Sequence, residues 1–136
     1  MSAIKELDIL IHSMQPVLNE GAYYFITLPE HSDLPFGDMI ATIRECEGVS
    51  VVVREELAVA RGWQNGFRAA WITLNVHSDF AAVGLTAAFA GALGKVGVSC
   101  NVVAGHHHDH IFVPFEQADL AMQTLLNLQK NAFQAA

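Results

Sequence analysis

The sequence predicts an α+β protein whose C-terminal half, roughly Phe67 to Phe133, runs strand–helix–strand–strand–helix. Three observations predict it. A unit of sequence occurs twice. Runs of β-branched and aromatic residues alternate with segments whose apolar residues recur every three or four positions. And 52% of the 136 residues are apolar against 15% charged, enough for a core and too little charge for disorder.

The repeat is read first, because it organises everything else. Phe25-Ile-Thr-Leu-Pro-Glu-His-Ser-Asp33 aligns with Trp71-Ile-Thr-Leu-Asn-Val-His-Ser-Asp79, identical at six of nine positions. Downstream, Gly48-Val-Ser50 matches Gly97-Val-Ser99, after spacers that differ by three residues. Order and spacing both agree, which favours duplication over chance likeness. The Gly-Trp-Gln-Asn-Gly composition of Arg61 to Gly66 marks a junction, so the halves are 1–66 and 67–136.

In chain order, Ile4, Leu7, Ile11 and Met14 share one side of an N-terminal helix. A strand follows at Ala22 to Leu28, then a loop at Pro29 to Gly37, and a helix is expected within Asp38 to Glu45. Val49 to Val53 is a strand, while Leu57 to Ala60 suits a paired strand or a helical turn equally.

The second copy is more regular. Ala69 to Val76 is a strand bounded by Asn65-Gly66 and His77-Ser78-Asp79. Phe80 to Val96 is a helix with Leu85, Phe89, Leu93 and Val96 on its core face, capped by Ser78 or Asp79 and ended by Gly97. Gly84, Ala88, Gly91 and Lys95 form a second stripe, whose small residues let another backbone approach. Val98 to Ala104 and Ile111 to Phe115 form a hairpin across the His-rich turn. Glu116 and Asp119 open a final helix carrying Ala118, Met122, Leu125, Leu128 and Ala132 on one face. A split βαβ module needs a further strand after that helix, and Asn131 to Ala136 is a poor one. The missing edge is therefore expected from the first half, with the modules interlocked.

Charge and composition exclude several functions. A net charge of −7, with seven scattered Lys and Arg, speaks against nucleic acid and an anionic membrane surface. The most apolar stretch, Phe80 to Gly94, is too short to span a bilayer, and Lys5, Glu6 and Asp8 do not suit a signal peptide. Cys46 and Cys100 form no CxxC motif or disulfide framework, which predicts a cytoplasmic protein.

Catalytic signatures are missing. Gly91-Ala-Leu-Gly-Lys95 misplaces the first glycine of a P-loop and puts Val96 where Ser or Thr must hold Mg²⁺. Neither GxSxG nor HExxH occurs. Glu45/Glu47 and Glu55/Glu56 read as solvated surface, and Cys100, beside Val98 and Val102, as an inert buried thiol. No cofactor is expected. His106, His107, His108 and His110 invite a metal, but only His106, His108 and His110 can share a face of the hairpin. They are weak metal candidates without a fourth ligand.

The strand ending Ile72-Thr-Leu-Asn-Val76, the run His77-Ser-Asp-Phe-Ala-Ala-Val-Gly-Leu-Thr86, the following helix and Gly97-Val-Ser-Cys-Asn-Val-Val103 resemble an ACT domain. With His108-Asp-His-Ile-Phe-Val-Pro114 and the duplication, the chain is similar to the small stand-alone tandem ACT proteins of bacteria. The likeness runs from Ala69 to Pro114; in the first half it rests on Phe25 to Asp33 and Glu45 to Val53. It departs from a full pattern at the C-terminus and around Leu57.

The resemblance implies tandem ferredoxin-like βαββαβ modules with antiparallel sheets and helices on one face, assembling as a homodimer or higher even oligomer. It implies a non-enzymatic regulatory protein that binds a small molecule, an amino acid by preference, between modules. Carried over, the contacts are Ser78, Asp79, Phe80, Ala82, Val83 and Gly84, with Asn101. Chemistry agrees with them: helix-start N–H groups meet a carboxylate, an Asp holds an ammonium group, and Gly84 admits close approach. Helix capping and packing explain the same residues without a ligand. Two alternatives stand beside this reading, a metal protein or metalloenzyme centred on the His turn and a structural oligomerisation or adaptor module.

Overall fold

The computed structural model describes residues 3–30, 32–76 and 83–132, with side chains from Glu6 onward. Helix α1 (Ala3–Ser13) turns its apolar side inward: Ile11 and Met14, just past its end, are buried, and Leu7 and Leu10 pack beside them. Strands β1 (Gln15–Leu18), β2 (Tyr23–Leu28), β3 (Ala41–Glu45) and β4 (Gly48–Arg54) and helix α2 (Glu55–Arg61) complete the first half. The second half holds β5 (Arg68–Asn75), α3 (Leu85–Lys95), β6 (Asn101–Ala104), β7 (Asp109–Pro114) and α4 (Ala118–Lys130).

All seven strands join one antiparallel sheet in the order β3-β4-β2-β5-β7-β6, with β1 also on β5. The C-terminal module therefore reads β1-β5-β7-β6, the strand order of a ferredoxin-like fold whose last strand comes from the chain's N-terminal end. Its register runs from Gln15 opposite Asn75 to Leu18 opposite Ile72. The first module in turn borrows the beginning of β5, Tyr23 facing Ala69 and Tyr24 facing Arg68. The modules are interlocked through β5, which serves both. Pro16, which has no ladder donor, is tolerable because β1 is an edge.

Alternation along β5 and β7 divides two faces. Ala70, Ile72, Leu74, Ile111 and Val113 point to the helix side, where Leu85, Phe89 and Leu93 of α3, Ala121 and Leu125 of α4, and α1 close the main core. Val96, expected on that core face, is instead exposed, because α3 ends at Lys95 and the chain turns at Gly97. Beneath the first module, Tyr24, Leu28, Leu34, Val51, Val53 and Ala58 form a second cluster. Tyr23, Val52, Ala69 and Phe112 lie on the opposite face, with Phe25, Phe67 and Trp71 against them. No helix of the described residues is long and apolar enough to cross a membrane.

One expected element is different. Asp38 to Glu45 holds no α-helix: a single 3-10 turn at Phe36–Asp38 leads into β3, which pairs along its whole length with β4. Four of its five residues are exposed, so neither strand alternation nor a helical stripe is visible in the sequence; the pairing with the buried β4 decides its state. The β3–β4 turn requires Gly48, since a Cβ there would lie 2.5 Å from the Leu28 carbonyl oxygen, at φ +142°. Leu57 to Ala60, open between two readings, is helical within α2.

Candidate ligand site at the joint of the modules

The two strands β1 and β2 run end to end along one edge of β5, and the sheet opens between them. Asn19 is the clamp at that break. Its backbone N–H donates to the Trp71 carbonyl at 2.9 Å, and its side-chain amide donates to the same carbonyl at 3.2 Å and to Thr73 Oγ1 at 3.0 Å. Glu20 to Ala22 then loop out before pairing resumes at Tyr23. The Tyr23 hydroxyl closes the loop by donating to the Glu20 carbonyl at 2.8 Å.

This loop borders a cleft of about 580 Å³ on the aromatic face, lined by Asn19 to Tyr23, Arg54, Glu56 and Trp71. Arg54 faces into that side of the sheet because it pairs directly with Tyr23. Glu56 stands in the first turn of α2. The Tyr23 phenol is raised above its usual range chiefly by burial; the Arg54 guanidinium opposes that shift, and the Glu56 and Glu20 carboxylates add to it. All three ionisable groups are therefore within electrostatic reach of one hydroxyl. Arg54 makes no ion pair among the described residues, whereas Arg68 is joined to Glu55 and also lies over the Phe115 ring at 3.9 Å.

Trp71 connects the cleft to the His turn. Its indole N–H donates to His110 Nδ1 at 3.0 Å, and Thr73 Oγ1 lies 3.2 Å from the same nitrogen. An indole only donates, so Nδ1 carries a lone pair and the proton of neutral His110 sits on Nε2. Burial, then the charge of His108, lower the His110 pKa, with Asp109 opposing. A smaller hollow of about 230 Å³ lies on this side, between Trp71, His110, Phe112, Val103 and Ile40.

The residues nominated from sequence fall in different places. Ser78, Asp79, Phe80 and Ala82 lie outside the described residues. Val83 is exposed ahead of α3, and Gly84 sits at its start, where a Cβ would be 2.9 Å from Leu7 Cδ2 of α1. Asn101, at the opening of β6, donates its amide to the Phe112 carbonyl at 3.1 Å and is level with Trp71, not with the far end of β5 that precedes α3. His108 and His110 rings are 6.4 Å apart, and the His106 ring stacks toward His107 at 4.9 Å. Among the described residues no three His, Cys, Asp or Glu side chains gather as a metal set, although His108 Nδ1 is buried without a hydrogen-bond partner.

The cleft residues were not visible in sequence. Asn19 and Trp71 are 52 positions apart, and nothing in Asn19-Glu-Gly signals that a strand from another module lies against it.

A family model described as ACT domain matches residues 2–70, and a second, with the same description, matches residues 67–127. Among solved structures, the chain is 44% identical to a Vibrio cholerae protein of unknown function, described as a possible transport protein, over 94% of this chain and 99% of that one, at TM-score 0.81. An Agrobacterium tumefaciens protein shares 18% identity over 85% of this chain and 89% of its own, at TM-score 0.63. The ligand-free regulatory subunit of aspartate kinase from Thermus thermophilus shares 13% identity over 83% and 95%, at TM-score 0.55, a likeness of fold. No curated protein matches the chain.

Proposed function

The chain belongs to the ACT domain family, as two such domains in tandem, and on that premise we propose that it is a regulatory protein that binds a free amino acid between its modules. The observation that carries the reading is the strand exchange through β5, which makes each module part of the other's edge. A ligand at such a joint stabilises the fit of the two modules and so has a mechanical route to a partner. ACT domains are regulatory, which fits a protein without catalysis of its own. The aspartate kinase regulatory subunit, a structural neighbour, adds a fold-level analogy and no ligand.

Under this reading the modules are 1–66 and 67–136, and the family-derived contacts are Ser78, Asp79, Phe80, Ala82, Val83, Gly84 and Asn101. The protein acts in the cytoplasm as a homodimer or higher even oligomer, which light scattering at micromolar concentration tests directly. The functional test is a thermal-shift screen of the common amino acids on chelator-treated protein. A ligand that prefers the native state raises its melting temperature. Stabilisation by one or a few amino acids is expected, and Asp79→Asn is expected to weaken a ligand whose ammonium group it holds. Stabilisation by none of them would remove this function.

A further inference from the structure

We propose that the cleft at the break between β1 and β2 is a binding site for a compact zwitterion, its carboxylate on Arg54, its ammonium group on Glu20 and Glu56, and its side chain against Trp71. The inference rests on the proposed function for the class of ligand and assigns a place separate from the start of α3.

Three observations meet there. The volume, about 580 Å³, is that of a small-molecule pocket. Its rim carries one guanidinium and two carboxylates, yet Arg54 pairs with neither of them. Opposite charges that line one cleft without touching leave a gap that a molecule bearing both charges can bridge, each end making a charge-assisted hydrogen bond. Tyr23 and Trp71, at 5.4 Å and edge to face, give the floor an apolar wall with a hydroxyl in it. Solvated surface residues explain the charges one at a time. They do not explain why these charges gather around one hollow at the break in the sheet, beside Trp71 and the Asn19 clamp.

Trp71 reports on the cleft once the other indole, Trp63, is replaced. In Trp63→Phe protein the common amino acids are titrated one at a time and Trp71 emission is followed. A saturable change with at least one of them is expected, weakened at least tenfold by Arg54→Gln and by Glu56→Gln. Because the cleft is separate from the start of α3, this emission change is retained in Asp79→Asn, which weakens only a ligand held at that other place. If an amino acid stabilises the wild type while Trp71 emission and both cleft variants are unaffected, the cleft is not the site and the regulatory reading stands. If no amino acid stabilises the wild type at all, both fall.

Discussion

The indole N–H of Trp71 donates to His110 Nδ1 at 3.0 Å, across the β5–β7 ladder from a neighbouring register position. That bond exists only while Nδ1 is unprotonated, because Trp71 cannot accept. Burial and the nearby His108 act in the same direction and Asp109 against it, so His110 titrates below its ordinary 6.5 in the folded protein. The unfolded chain then takes up the proton first. Stability is full above about pH 6.5 and is lost as pH falls through the folded pKa. Urea midpoints measured from about pH 7.5 to about pH 5 should fall more steeply in the wild type than in His110→Gln. Parallel curves would show that His110 is not the group responsible.

The two thiols should react very differently. Cys100 packs against the main core, and burial pushes its pKa up to about 11. Cys46 is exposed in the β3–β4 turn. At about pH 8 the Cys100 thiol is therefore ionised in roughly one molecule in a thousand. Iodoacetamide is expected to modify Cys46 in the native protein and Cys100 only after denaturation, as read by peptide mass. Equal labelling of both in native protein would contradict this burial.

Asn19→Ala should loosen the joint between modules. The substitution removes the side-chain bonds to the Trp71 carbonyl and Thr73 Oγ1 while leaving the backbone bond in place. Two partly buried hydrogen bonds are worth about 1–3 kcal/mol together. A double-mutant cycle with Thr73→Val should show coupling, because the Thr73 hydroxyl accepts from Asn19 and lies beside His110. Strict additivity would mean that the clamp and the His110 network are independent.

Which features could be read from the chain follows from how local their cause is. β2, β4, β5 and β7 are β-branched, aromatic runs with buried faces, so composition already names them. The need for a borrowed edge was legible by counting strands, since Asn131 to Ala136, after the last helix, reads poorly as a strand. Its source was not. Gln15-Pro-Val-Leu18 is four residues long, contains a proline and takes its state from β5, nearly sixty residues on. β3 is hidden in the same way, its exposed residues carrying no period. The cleft is less legible still, because Arg54, Glu20 and Trp71 acquire a common meaning only after two modules have exchanged strands.

Gly84 offers the last test, because it separates packing from ligand contact at one position. Its φ of +100° strains any residue with a Cβ, and that Cβ would stand 2.9 Å from Leu7 Cδ2. The backbone term cannot be relieved by a neighbour; the crowding can, since Leu7 Cδ2 is the tip of a flexible side chain. Gly84→Ala is expected to cost about 1–3 kcal/mol in urea unfolding. Adding Leu7→Ala should recover the crowding share, so that the double variant loses less than the two single losses added together by about 0.5 kcal/mol or more. Full additivity would assign the whole cost to the backbone. A Gly84→Ala protein as stable as the wild type would show that neither effect holds this turn, and would leave close approach by a ligand as the reason for a glycine there.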